Sequence, residues 1–430
     1  QPITLSCAAE PQFKGAWNGI YLDDSVLDTI TILDECVIKY GGGGTSALIT
    51  CVSSSPTISN CSITHSAGIG LSLDSTSGNV ATPNITDCSF RYHESYPISV
   101  YANEVPAIGS GNTFSSNSIN RIHVIAERLV ANASWRYQQA YYEIDGILDV
   151  RGTSYNAITL TIQPGARLLF RSGSYVRVGD PSPEYPGALI AQGTSGSFIR
   201  FSSAAGSPAP GDWNGIYFEN YASDSSVLEY CYVEYGGATD RQSNVSCRNA
   251  SPDILGSTVR GSAYFGIRYD GSGVTTNALV GGSVVASNTI GVYTENNAQP
   301  MLNNGNEHYN SFMMNSVAGV SNAGSPVVDA RNNWWGNWDC TGPGGIAPGT
   351  GDAVYGNVLY DPFICPPTPT PTLTPTVTPS PTVTPSPTIT MTPTITATPA
   401  PVIPVMGGGG ILLLAVLFGV GLIGLRRKVD

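Results

Sequence analysis

From Gln1 to about Cys365 the apolar residues fall in short pieces of four to six positions, alternating with Ser, Thr and Asn and broken by Gly. Alternation over that length predicts strands, and no stretch before Gly407 keeps the spacing of an amphipathic helix. The pieces group into units that open on Pro, any residue, then an apolar residue, at Pro56, Pro83, Pro106, Pro252, Pro300 and Pro326. Spacings of 27, 23, 48 (two units) and 26 give a period near 25, that of a solenoid coil. Cys36, Cys61 and Cys88 lie 25 and 27 apart, each two residues before Ile38, Ile63 or Phe90. Stacking of small apolar thiols inside successive coils explains that spacing. At ~4.8 Å per coil, about fourteen coils make a rod on the order of 70 Å long.

A longer repeat overlies the coils. Ile3 to Leu22 and Ile199 to Phe218 match at ten of twenty positions, at a constant offset of 196. The match continues, with short gaps, from Leu33–Gly42 onto Leu228–Gly237, from Cys51 onto Cys247 and from Pro56 onto Pro252. Short apolar strands between Tyr142 and Thr194 lead into the second copy, and nothing equivalent precedes the first. The natural protein is therefore expected to extend upstream, with its secretion signal there.

These coil units, together with WNGIYL/WNGIYF, IKYGG/VEYGG and the segment Asn332 to Gly345, resemble bacterial parallel β-helix repeat proteins of the pectin-lyase-like superfamily. The segment around Trp135 and LTIQPGARLLF is similar to an element those proteins place before such coils. The resemblance covers residues 1–365 and implies an all-β, right-handed parallel β-helix solenoid. Coils are expected over 1–134, lead-in strands over 135–210, and a second set of coils with a C-terminal cap over 211–365.

The tail is of another kind. Residues 366–401 are almost only Pro, Thr and Ser, a composition that favours extended polyproline II with sites for O-glycosylation. Within 402–430, Gly407 to Leu425 gives nineteen uncharged residues, about 28 Å as a helix, followed by the basic stop Arg426, Arg427 and Lys428. That pattern predicts one transmembrane helix with the β-helix outside, and resembles bacterial sorting tails that a membrane protease removes. The expected location is the cell surface.

Charge narrows the partners. Without the three basic residues and one acid beyond the apolar tail, the body holds 16 basic and 30 acidic residues. A net −14 excludes nucleic acid, whose phosphates are held by clustered Lys and Arg. The same acidity leaves Ca²⁺ open as a ligand, although no cysteine spacing fits a zinc site. A monomer is expected.

Candidate chemistry is sparse. Asp23-Asp24 is the only adjacent aspartate pair and the only candidate for acid–base catalysis, yet the second copy has Glu219-Asn220 there, so a solvated bend is the stronger reading. The motifs that accompany catalysis in related hydrolases and pectate lyases are missing. His65, His93, His123 and His308 are scattered, and each reads as a surface or coil-edge residue. Arg260 and Arg268 near Asp270 could imitate a lyase base beside a cation, but surface ion pairing is the stronger reading. Trp334, Trp335 and Trp338 would stack on sugars if exposed, or else cap the last coil. Cys340 and Cys365 flank that cap and are expected to form a disulfide. The leading expectation is a non-catalytic, surface-displayed protein that binds glycans or surface polymers. Its alternatives are a polysaccharide lyase or glycoside hydrolase with an atypical site, and a passive structural or adhesive rod.

Overall fold

The computed structural model describes residues 1–365 apart from 45, 76–79, 240 and 303–308, and leaves the side chains of Val274 and Thr275 undescribed. The Pro/Thr-rich segment, the apolar segment and its basic stop lie outside the described residues. No helix among the described residues is long and apolar enough to cross a membrane.

Among the described residues, thirty-six strands wind into stacked coils. Each strand pairs in parallel with the one a coil earlier and the one a coil later, as Cys36–Lys39 does with Ile3–Leu5 and Ser62–Thr64. The longest ladder has twelve strands, from Ile20–Leu22 to Ser311–Met313, and the bridge from Ser311 to Trp334 adds a thirteenth rung. Ladders of eight, six, five, three and two strands form the remaining faces. This is a parallel β-helix, and its rungs come close to the fourteen expected.

Alternation puts Ile, Val, Leu and Phe indoors along every ladder, where Ile38, Ile63 and Phe90 stack with no exposed surface. Cys36, Cys61 and Cys88 occupy the preceding slot in register, all buried. Their thiols are not merely packed: Cys61 Sγ donates to Leu33 O at 3.3 Å and to Ser59 O at 3.1 Å. Non-glycine residues with left-handed backbone mark the corners, as at Tyr40, His65 and Tyr92 (φ 66°, 58° and 60°).

The strands between 135 and 210 are coils in their own right. Tyr141–Asp145 pairs with Arg121–Ile125 on one side and Arg167–Phe170 on the other, and Arg167–Phe170 pairs onward with Ile199–Ser203. The twelve-stranded sheet therefore crosses both internal boundaries, 134/135 and 210/211, without a break.

The duplicated copies share local structure in detail. Trp17 Nε1 donates to Lys39 O at 2.9 Å, and Trp213 Nε1 donates to Glu234 O at 2.9 Å. Gly19 and Gly215 hold φ of 110° and 115°, where a Cβ would strike the backbone oxygens Leu48 O and Ser243 O, so only glycine fits. Yet equivalent strands extend different ladders. Cys36–Lys39 lies in the five-stranded sheet, whereas Cys231–Glu234 lies in the twelve-stranded one. Likewise Ile20–Leu22 belongs to the twelve-stranded sheet and Gly215–Phe218 to the eight-stranded one. These two strands of the second copy therefore lie on different faces from their counterparts. The change falls where the five-stranded sheet ends at Thr113–Ser115 and the eight-stranded sheet opens at Ile147–Val150.

Candidate functional site

A groove runs over the outer face of the twelve-stranded sheet where that exchange occurs. Three adjoining cavities of about 570, 480 and 350 Å³ make it up, the first two sharing Ser203 and Ala205 and the last two sharing Arg121, Tyr141 and Arg167. Its floor is formed by outward residues of Arg121–Ile125, Tyr141–Asp145, Arg167–Phe170 and Ile199–Ser203, and its rim by the segment from Ala204 to Asp212. Asp212 clasps the rim by accepting hydrogen bonds from Ser203 Oγ and from Ala209 N at 2.8 Å.

One outward ladder carries three cations and two rings. Arg121 is in register with Tyr141, Arg167 with Arg200, and Arg200 with Tyr232. The Arg167 guanidinium lies 4.0 Å from the centre of the Tyr141 ring, which closes the remaining step. Arg167 has no carboxylate partner among the described residues. It donates to Gln139 O at 2.9 Å, and its Nε is buried without a hydrogen bond. Arg200 and Arg260 share the buried Glu234. No carboxylate lines the two cavities that Arg121, Arg167 and Arg200 surround.

The other end is acidic, and its acids are engaged. Glu143 is buried and accepts hydrogen bonds from Tyr96 Oη at 2.8 Å, Arg121 Nη1 at 2.8 Å and Arg171 Nε at 2.7 Å. Burial alone would raise its pKa, but these three donors carry it below the usual carboxylate range. Arg171 also holds Asp145. His123 stacks on Tyr96 with ring centres 4.8 Å apart, and burial lowers its pKa against the pull of Asp145.

Ser99 Oγ lies 3.0 Å from His123 Nδ1, and His123 Nε2 lies 3.4 Å from Asp145 Oδ2. This is a serine–histidine–aspartate relay in outline. Ser99 is only 5% exposed, and neither it nor His123 lines the groove, so the hydroxyl faces no place for a substrate.

The residues singled out by sequence lie elsewhere. Asp23 and Asp24 are exposed on the bend after Ile20–Leu22. Asp23 accepts Ser25 Oγ and Ser25 N, hydrogen bonds that lower its pKa, and neither aspartate lines one of the cavities described. The sugar-stacking expectation is corrected for Trp334 and Trp335, which are buried. Trp335 stacks on Phe312 of the preceding coil at 5.0 Å, and Trp334 Nε1 donates to Asn337 O at 3.1 Å. Trp338 is exposed but leans on Trp334 at 4.7 Å, so the three rings close the last coil. A disulfide joins Cys340 to Cys365 with Cα atoms 5.4 Å apart.

Arg260 and Arg268 do not converge on Asp270. They pair with Glu234 and Glu295 respectively. His93 is not at the surface: it is buried in a corner, with Nδ1 accepting Ser66 N at 3.2 Å, and burial pushes its pKa down to about 3. His308 lies outside the described residues. No three His, Cys, Asp or Glu side chains among the described residues gather to hold a metal ion.

The groove was missed because its residues are 20, 26 and 33 positions apart (Arg121, Tyr141, Arg167, Arg200) and belong to no motif. The available signal was the Arg-rich strand starts Arg121, Arg167 and Arg200 in an otherwise acidic body.

Among known families, the one described as right handed beta helix region matches residues 12–132. No curated protein and no solved structure matches the chain. The ladders continue past the matched residues as far as Val358–Leu359.

Proposed function

We propose that this β-helix binds an extended acidic polysaccharide along the groove and does not cleave it. The observation that carries this reading is Arg167, a cation with no carboxylate partner among the described residues, in the half of the groove whose cavities no carboxylate lines; it stands between Arg121 and Arg200, which pair with Glu143 and Glu234 behind the surface of a body with net charge −14. Local positive charge on an acidic protein selects anions that present several charges in a row. Rungs ~4.8 Å apart offer a cation or a ring at intervals comparable to one sugar residue. Tyr141 and Tyr232 add faces for stacking.

Several features speak for binding over cleavage. Glu143 is held ionised and so is no general acid, and Arg171 is committed to two carboxylates. In this reading the Pro/Thr-rich segment and the apolar segment with its basic stop display the β-helix outside the cell, a placement supported by sequence alone.

The test is a polysaccharide array with the full-length protein. Polymers bearing uronate or sulfate should bind, salt should weaken them, and Arg167→Gln should weaken them at least tenfold, with no shorter products released. Equal binding of neutral polymers, or an unaffected Arg167→Gln variant, would exclude the proposal. Release of unsaturated or reducing ends would establish the lyase or hydrolase alternative instead.

A further inference from the structure

A second cavity, of about 370 Å³, lies on another face, where the ladder itself is interrupted. The three-stranded sheet ends at Asn84–Thr86, and the six-stranded sheet begins at Ala133–Trp135. The coil between them meets Asn84–Thr86 only through the bridge from Ile85 to Ile108, and a 3-10 helix, Ala102–Ala107, runs into that rung in place of a continuing strand. An unbroken ladder leaves no space between rungs. Here the turn opens one.

The lining of this cavity is unlike that of the groove. Pro83, Pro106 and Ala107 give it apolar surface. Asn84, Thr86, Ser110 and Arg136 also line it, and none of their side chains makes a hydrogen bond or ion pair among the described residues. Nearby polar groups that serve the fold are engaged: Asn103 donates to Glu127 Oε1 at 2.7 Å and to Arg128 O at 3.0 Å. No carboxylate lines the cavity, so the Arg136 charge is uncompensated there.

We infer that this cavity is a separate binding site for a small sugar acid, a single ring bearing one carboxylate, with Arg136 as its anchor. One free guanidinium matches one carboxylate, which it can hold through two parallel hydrogen bonds. An amide and two hydroxyls without internal partners match a ring rich in hydroxyls, and the proline and alanine surface matches its apolar face. The volume lies near the lower end of the range for ligand pockets, the size of a single ring and not of a long chain. The acid could arrive free or as the terminal residue of a polysaccharide, and the two sources are separable by experiment.

Full-length protein is titrated with glucuronic acid, with glucose and with a glucuronate-terminated oligosaccharide, each followed by ligand-observed saturation-transfer NMR. Glucuronic acid should give a signal and glucose none. Arg136→Gln should lose at least 90% of the signal, and Arg136→Lys should retain part of it through the charge. A stronger signal from the terminal residue of the oligosaccharide than from the monosaccharide would assign the site to chain ends, and the reverse to the free acid. Because Arg136 has no internal partner, the thermal melt of Arg136→Gln should match the wild type, which separates lost binding from lost fold. Arg167→Gln should leave the monosaccharide signal intact, so the groove and this cavity can fail independently. An unchanged signal in Arg136→Gln, an equal one from glucose, or none from either acid would overturn the inference.

Discussion

At one corner of the coil the first copy stacks thiols where the second stacks hydroxyls and amides. The first runs Cys36, Cys61, Cys88 and then Asn112; the second runs Cys231, Ser257, Ser283, Asn310 and Asn333. Both series perform one task. Ser257 Oγ accepts Cys231 N at 2.9 Å and donates to Leu228 O, Asn310 Oδ1 accepts Ser283 N at 3.0 Å, and Cys61 Sγ reaches Leu33 O. The slot thus requires a small side chain that satisfies corner backbone in a dry place, and apolarity is incidental to it. A second corner repeats the lesson, with Ser66, His93 and Asn117 in the first copy and Ser262, Asn288 and Asn315 in the second.

The largest effect expected from this comparison is at Cys61. Cys61→Asp puts a carboxylate against Leu33 O and Ser59 O with no cation near, and an unpaired buried charge costs several kcal/mol or forces protonation. Its melting temperature should fall sharply. Cys61→Ser imports what the second copy uses and should cost no more than about 1 kcal/mol. Urea melts of the two variants decide the matter: equal stabilities would mean that the corner faces solvent and the equivalence is false.

A smaller loss is expected at Asn288. Its Oδ1 accepts Ser262 N at 3.0 Å while its Nδ2 donates to Val259 O at 3.3 Å, all buried. Asn288→Ala leaves both backbone groups without partners, at roughly 1–3 kcal/mol for each buried group. His93→Asn at the equivalent corner should instead be tolerated at neutral pH, because asparagine already fills this slot one copy later. If Asn288→Ala melts with the wild type, water replaces the amide and the ladder is not structural.

These contrasts mark what could be read from the sequence. The 25-residue period, the duplication and the cysteine slot were legible because inward positions obey one alternation that stacking repeats. The exchange of ladders between equivalent strands was not, since it depends on where the five-stranded sheet ends and the eight-stranded sheet opens. The groove was hidden for a related reason: outward residues meet only through ladder register, and a displaced register changes every meeting. Trp334 and Trp335 were ambiguous because adjacent residues on a strand point to opposite faces. Both are buried, immediately before the closing turn at Gly336 (φ 82°).

The pH dependence of stability should sharpen the corner comparison further. His93 is held at about 3 by burial, below its ordinary 6.5, so between those values the unfolded chain binds the proton and the folded chain does not. Its contribution is present above pH 6.5 and is lost as pH falls toward 3. Glu104 behaves oppositely. Burial raises it to about 7 from 4.5, against hydrogen bonds from Ser75 and Tyr101 N, so the folded chain keeps the proton longer and stability falls as pH rises from 4.5 to 7. Unfolding free energies measured from pH 4 to pH 8 should show the acid limb flattened in His93→Asn and the neutral limb flattened in Glu104→Gln. Unchanged slopes would place the protons elsewhere.

The smallest effect is expected where the copies differ most in surroundings. Asp23 and Asp24 correspond to Glu219 and Asn220. In the second copy Glu219 is buried and bound to Arg241 at 2.6 Å, whereas in the first both aspartates are exposed on a bend, where the Asp23 carboxylate accepts hydrogen bonds from Ser25. Asp24→Asn imports the residue of the second copy, removes one exposed charge and should leave the unfolding free energy within about 0.5 kcal/mol of wild type. Glu219→Gln, at the paired position, should destabilise measurably more, because it leaves the Arg241 guanidinium without its carboxylate. Together the two variants ask whether this position serves the fold only where a neighbouring coil supplies a cation. If Asp24→Asn preserves stability but abolishes release of fragments from a polysaccharide, the exposed pair is catalytic after all and the binding reading gives way to an enzyme.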